Sequence, residues 1–340
     1  MKNPTQVTMW ISNRNEPLLS QIPQATLHHC IEKLPSTGTL ITLIDGKRCR
    51  IFRKTAGEYL AIAFSNDINR IKSKKLLESD ADAILAVAPT VELSIQRSEE
   101  RTRRLLHNLK SLTAKTSQEV FLLAQQDRLL GNPREIVPYL ASEIQGNLEG
   151  TARALLEILK HQAAQKAEYT AFDRLSGKLD KSSSETHDVH RVLMNVFYLF
   201  FGEFIAKKIR AEVERTHIQA RFDYDSIHVC IYYLVENAAK YTRSNSDFTV
   251  SVSQSSEGLV KIRFVMESLF IKPEETDLIF EEGYSGSNAI DANLNGAGLG
   301  LYLARSMVRM NSGKLTVIAG GALRGSQYAR NTFVLTLPAG

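Results

Sequence analysis

Two segments far apart in the chain constrain it more than any other feature. Leu234-Val235-Glu236-Asn237-Ala238-Ala239-Lys240-Tyr241-Thr242 reads as a helix, apolar on one side, with an amide and an ammonium on the other. Asn237 and Lys240 lie three residues apart and share a helical face. A side-chain amide oxygen suits a hard cation such as Mg2+, and an ammonium beside it meets phosphate oxygens. Downstream, Asn295-Gly296-Ala297-Gly298-Leu299-Gly300-Leu301 is a glycine-rich turn running straight into an apolar helix, Leu299 to Met310. Free backbone N–H groups at a helix start bind anions, and glycines let a phosphate approach the main chain. In this order the two halves point to a nucleoside triphosphate.

The chain has 340 residues, more than one ordinary domain holds. Its apolar and charged fractions are those of a globular protein. A net charge of +5, spread along the chain, permits an anionic partner without demanding nucleic acid. Three scattered cysteines (Cys30, Cys49 and Cys230) suit a reducing compartment. His28-His29-Cys30 has no second ligand cluster at metal-binding spacing. Met1 to Leu27 lacks a signal-peptide core, and the longest apolar run, Val192 to Ile205, is short for a bilayer and contains Glu203. The expectation is a cytoplasmic protein without membrane insertion.

In chain order, a helix is expected near Gln24 to Lys33. Thr39 to Ile44, Asp45-Gly46 and Cys49 to Phe52 read as a β-hairpin, and Tyr59 to Phe64 as a third strand. From about Pro89 to Gln126 the pattern becomes a long helix whose stripe is Leu105, Leu109, Leu112, Thr116, Val120 and Leu123. Gly131-Asn132-Pro133 breaks it. A second long helix to about Leu179 carries the stripe Ile136, Leu140, Ile144, Leu148, Leu155, Leu159, Ala163, Ala167, Ala171 and Leu175; Pro138 is tolerable there only within the first turn. Two such helices cannot bury their stripes alone, and pairing two hairpins into a four-helix bundle solves this. Lys181 to Glu185 is a linker; a helix from about Val189 to Lys208 and a strand near Ala220-Phe222 follow.

Leu234 to Thr242 resembles the asparagine-bearing box of sensor histidine kinases, a branch of the superfamily shared with gyrase, a heat-shock chaperone and mismatch-repair ATPases. Phe280-Glu281-Glu282-Gly283-Tyr284-Ser285-Gly286-Ser287-Asn288 resembles the family's phenylalanine-bearing box, and Gly296 to Leu301 its second glycine box. The closing strands around Leu315-Val317 and Phe333-Leu337 also fit. The resemblance implies a multidomain α+β chain: a small N-terminal α+β sensory or docking domain (1–85), an antiparallel helical hairpin for dimerisation and histidine phosphotransfer (86–181), and an α/β-sandwich ATP-binding domain (186–340). It implies ATP and Mg2+ as ligands. Asn237 would hold the metal, Lys240, Gly296, Gly298, Gly300 and Leu301 the phosphates, and Tyr241 would pack beside the base. Tyr284 to Asn295 would form a lid.

The phosphoacceptor belongs on the exposed side of the first bundle helix. His107, in Arg103-Arg104-Leu105-Leu106-His107-Asn108-Leu109-Lys110, lies off the stripe, roughly 36 Å from the hairpin turn by helical rise. Neutral imidazole is a competent nucleophile toward a γ-phosphoryl group. Where the commonest relatives have an acidic residue and then proline, this chain has Asn108, which orients but cannot act as a base, and no proline. Ser142 and His161 fall on the second helix and are set aside, His161 as a solvated residue.

The first glycine box departs from the family. Met266 stands where the family has the aspartate that accepts the adenine amino group, and Ser268 and Phe270 replace glycines. Glu267, one residue along, is an alternative acceptor for the same bond, although its direction on a strand differs. Loss of one charge-assisted bond costs on the order of 1.5–3 kcal/mol, which weakens binding or permits another base. Tyr233 replaces the glutamate that activates water in gyrase-like ATPases. The favoured expectation is a cytoplasmic homodimeric histidine kinase that passes its phosphoryl group to the receiver domain of a response regulator. The alternative is a catalytically impaired pseudokinase acting as a dimeric scaffold, and an ATPase chaperone-like switch stands third.

Overall fold

The computed structural model describes residues 6–11, 17–22, 27, 34, 38–44, 46–129, 131–175, 184–294, 296–323 and 325–340. Two compact units divide the chain, 1–104 and 105–340.

In the first unit a five-stranded antiparallel sheet runs β2-β1-β5-β4-β3, with β1 Gln6–Ile11, β2 Leu19–Ser20, β3 Gly38–Ile44, β4 Lys47–Ala56 and β5 Tyr59–Ser65. The expected hairpin is β3 with β4, and the expected third strand is β5. Strand alternation makes the sheet two-faced. Ile51 and Ile62 pack with Ile22, Leu27 and Leu34 on one side; Phe52, Ala61 and Ala63 meet Leu77, Ala81 and Leu85 on the other. The helix expected over residues 24–33, the turn residue Asp45 and the His28-His29-Cys30 cluster lie, Leu27 apart, outside the described residues. A short helix α1 Ile68–Lys72 is capped by Asp67, whose side chain accepts from Asn69 N and Arg70 N.

Helix α2, Lys74–Leu123, starts well before the expected Pro89 and carries that proline inside it. After α3 Gln126–Leu129, the second long helix proves to be two: α4 Pro133–Gly146 and α5 Leu148–Leu175. The break is local chemistry. Asn147 leaves helical geometry and its side chain accepts from Gly150 N at 2.9 Å, which caps the start of α5. Asn132 caps α4 with Pro133 in its first turn, so Pro138 sits in the helix interior and not in the first turn as expected. In the second unit, Gln165 Nε2 on α5 donates to Thr113 on α2 at 3.4 Å. His161 is buried, with Nδ1 unpartnered and its pKa lowered by burial, so the expectation of a solvated residue is corrected.

The rest of the second unit is a five-stranded sheet, order β11-β12-β10-β9-β7, faced by helices. Its strands are β7 Arg210–Val213, β9 Asp247–Gln254, β10 Leu259–Leu269, β11 Lys314–Ile318 and β12 Tyr328–Pro338; β7 and β9 are parallel, the other neighbours antiparallel. A two-stranded ribbon pairs β6 Glu185–Asp188 with β8 Gln219–Phe222. The helices are α6 Val189–Phe197, α7 Phe201–Ala206, α8 Tyr224–Tyr241, α9 Ser287–Asp291 and α10 Gly300–Met310. By length and composition the stretch Val189–Ala206 is apolar enough to cross a membrane. Here it is broken at Tyr198–Phe200, and Leu193, Val196, Phe197, Phe200 and Phe204 fill the core.

The end of the hairpin is built into this core. Ala167 and Ala171 of α5 are buried with the side chains of α6 and α8, so this part of the expected bundle stripe faces the same core. Lys166 meets Asp225 at 2.8 Å, and Lys160 pairs with Glu203. The deepest link is Arg174, whose Nη2 donates to both oxygens of the buried Asp223 at 2.9 and 2.8 Å. Asp223 also caps α8 by accepting from Ser226 N at 3.0 Å. Removing one partner of a buried ion pair strands the other. Arg174→Met is expected to lower the stability of the C-terminal unit by about 3 kcal/mol, read in urea denaturation; an unchanged midpoint would show the link to be weak.

Candidate nucleotide site

A cleft of about 320 Å³ opens between α8, the end of β10 and the segment 283–301. That size is within the range of small-molecule sites. Asn237, Lys240, Tyr241, Gly296, Gly298, Gly300 and Leu301 all line it, so the two segments singled out in the sequence meet in space. Asn295 lies outside the described residues.

Each half is held by its own contacts. Lys207 Nζ donates to the carbonyls of Ala239 and Lys240 at 2.6 and 2.7 Å, tying down the end of the helix that presents Lys240. The Lys240 ammonium stands 5.2 Å from the Tyr241 ring centre, and a Cβ added at Gly296 would come within 3.3 Å of it. Ammonium and glycine turn therefore face one space. Gly298 must be glycine: its φ is +67°, and an added Cβ would approach the Gly283 carbonyl carbon to 2.5 Å. Gly283 N donates to Gly298 O at 3.1 Å, joining the glycine turn to the phenylalanine-bearing segment. Arg305 fixes that segment from below, 4.8 Å from the Phe280 ring centre and 2.6 Å from Glu281. Tyr241 Oη donates to Leu294 O at 3.1 Å, which makes this ring a contact to the segment expected to be the lid.

The far wall differs in character. Along β10 the pattern alternates strictly, with Val260, Ile262, Phe264, Met266 and Ser268 buried. Met266 therefore points inward and lines the cleft, while Glu267 turns outward to Arg243, 3.6 Å away. Glu267 does not replace the missing aspartate. Ser268 accepts from Asn331 Nδ2 at 2.9 Å, so its hydroxyl is already engaged. Asn288 of α9 donates to Phe270 O at 2.6 Å and closes this end.

Sequence reasoning missed two carboxylates in the cleft. Glu275 is buried and accepts from Tyr284 Oη at 3.0 Å and from Ser287 N at 2.8 Å. These bonds hold its pKa below the usual carboxylate value, although burial alone would raise it. It braces the start of the lid segment. Glu168, on α5, accepts from Tyr233 Oη at 3.2 Å and also lines the cleft. Only packing brings it there, and no local motif marks it. Asn108, on α2, lines the cleft as well; His107 beside it is exposed.

Among the described residues no group of three His, Cys, Asp or Glu side chains gathers as a metal cluster. The donors present fit Mg2+ carried with a triphosphate: the Asn237 amide oxygen is hard, and phosphate oxygens would complete the coordination. Glu236, next in sequence, lines the same cleft, its carboxyl pKa raised by burial and opposed by Lys240.

Lys240 should dominate affinity. Its pKa is lowered by burial, with Glu236 pulling the other way. Lys240→Met is expected to weaken triphosphate binding by about tenfold to hundredfold. As pH rises through the lowered value, the wild type loses its ammonium and its affinity, whereas Lys240→Arg keeps both. The empty fold responds with the opposite sign. The unfolded chain holds this proton to higher pH, so stability rises over the same window. Calorimetric titration across pH checks both, and a flat wild-type affinity would contradict the assignment.

Residues 222–340 match the family described as Histidine kinase-, DNA gyrase B-, and HSP90-like ATPase. Histidine protein kinase SaeS of Staphylococcus aureus is 29% identical over 85 residues, 25% of this chain and 24% of that protein. The chain thus spans about a quarter of the length of the curated relatives it matches. Among solved structures, the mycobacterial sensor histidine kinase MprB is 23% identical, with a TM-score of 0.39 over 46% of this chain and 97% of that one. Full-length ShkA in complex with AMPPNP is 17% identical, with a TM-score of 0.44 over 71% of this chain and 46% of that one. Residues 222–340 are thus similar to the histidine kinase-, DNA gyrase B- and HSP90-like ATPases, and part of the chain is similar to a histidine protein kinase.

Proposed function

We propose that this protein is a cytoplasmic, homodimeric histidine kinase that transfers the γ-phosphoryl group of ATP to His107 and from there to an aspartate of a response-regulator receiver domain. The observation that carries this reading is Asn108: the residue next to the acceptor lines the same cleft as Asn237, Lys240 and the glycine turn. Lys240 and the N–H groups of the glycine turn would hold the phosphates; Asn237 would hold Mg2+, which when bound would supply charge neutralisation at the transferring group. Tyr241 and Tyr284 carry the lid segment, whose closure excludes water. Tyr233, in place of a water-activating carboxylate, favours transfer to a side chain over hydrolysis.

Dimerisation is supported by the apolar stripe left open on the hairpin. Leu148, Leu155 and Leu159 of α5 are 68%, 52% and 44% exposed. A second hairpin packed on that stripe would cover it.

A scaffold without phosphoryl transfer is the second reading, and Met266 favours it, since the apolar wall offers adenine no carboxylate. Incubation of the full chain with γ-labelled ATP and Mg2+ separates the two. The kinase reading expects acid-labile, alkali-stable label that vanishes in His107→Gln. Label that persists in that variant, or no label despite nucleotide binding, contradicts it.

A further inference from the structure

Phosphoryl transfer to an imidazole leaves a proton to be removed, and the residue beside His107 cannot take it. Asn108 carries a neutral amide. The cleft nevertheless contains a carboxylate on the hairpin side. Glu168 stands on α5, across the hairpin from Asn108, and both line the cleft. Its position is fixed at two levels. Tyr233 Oη donates to its Oε1 at 3.2 Å. The buried neighbours Ala167 and Ala171, with the Arg174–Asp223 link, lock the helix that carries it. Tyr233 in turn packs against the glycine turn: a Cβ at Gly300 would lie 3.2 Å from its ring. Glu168 is thus held through one phenol to the place where phosphates are expected.

We infer that Glu168 is the proton acceptor for phosphoryl transfer to His107, supplied to the cleft by the second hairpin helix of the same chain. The inference rests on the kinase reading above. In the step, one ring nitrogen of His107 uses its lone pair to form the N–P bond. The bond from the γ-phosphorus to the bridging oxygen breaks, and ADP leaves with that electron pair. The proton on the other ring nitrogen passes to the Glu168 carboxylate. General-base help of this kind is worth roughly a hundredfold or more. Two further carboxylates line the cleft: Glu275 is engaged by Tyr284 and Ser287, and Glu236, on α8, has its pKa raised by burial with Lys240 beside it opposing that rise.

The contact to Tyr233 makes a discriminating test possible. Glu168→Gln keeps an oxygen that accepts from Tyr233 and removes only the basicity. Tyr233→Phe removes the tether and keeps the carboxylate. With full-length protein, MgATP affinity is measured by calorimetry and label transfer by γ-labelled ATP. The proposal expects Glu168→Gln to bind MgATP as the wild type does and to label at least about tenfold more slowly. Glu168→Asp should recover part of that rate, and Tyr233→Phe, which frees the carboxylate without removing it, should slow labelling less than Glu168→Gln does. Glu168→Gln labelling at the wild-type rate, losing nucleotide affinity, or being less impaired than Tyr233→Phe would make Glu168 a tether and overturn the proposal. If these variants fail while wild-type His107 still labels, the kinase reading stands without Glu168. If the wild type binds MgATP but leaves His107 unlabelled, both fall.

Discussion

One buried carboxylate, Asp223, holds the working part of the molecule together. It caps α8, receives Arg174 from the hairpin helix α5, and its own N–H donates to Asn311 Oδ1 at the end of α10, 2.6 Å away. The two helices that meet at the cleft, one bearing the amide and ammonium and the other opened by glycines, are therefore pinned at their far ends to the same residue. Because Arg174 adds α5 to that node, the orientation of Glu168 toward Tyr233 depends on it as well. A buried charge is costly unless fully bonded, and here donors come from a guanidinium, a backbone amide and a hydroxyl.

The cleft divides its tasks unequally. The side proposed for the phosphates carries Lys240, Asn237 and a glycine turn locked by backbone contact between Gly298 and Gly283. The side proposed for the base is apolar, with Met266 inward and the hydroxyl of Ser268 engaged by Asn331. Affinity in such a site comes from charge and metal more than from reading a base edge. An apolar wall accepts a purine by burial but discriminates poorly between exocyclic groups.

Much of this was legible in the sequence, for reasons tied to particular residues. Strand alternation turns Glu267 away from Met266, and in the structure Met266 is inside and Glu267 outside. The spacing of Asn237 and Lys240 placed both on the cleft. What could not be read depended on packing between distant segments. Glu168, Glu275 and Lys207 look like ordinary surface charges until α5, the lid segment and the end of α8 are assembled. His161 carries no local sign of its burial, which the assembled fold supplies. The division of the second long helix turned on the Asn147 side chain bonding Gly150 N, a local competition that the apolar stripe running through it concealed.

The central claim, that α8 and the glycine turn close over a metal-bound triphosphate, is tested most directly by amide hydrogen exchange with and without MgATP. The account predicts slowed exchange at Gly296, Gly298 and Gly300 and in the lid segment, with β3 and β4 unchanged. No slowing at the glycine turn at saturating MgATP, or slowing confined to other segments, would contradict it.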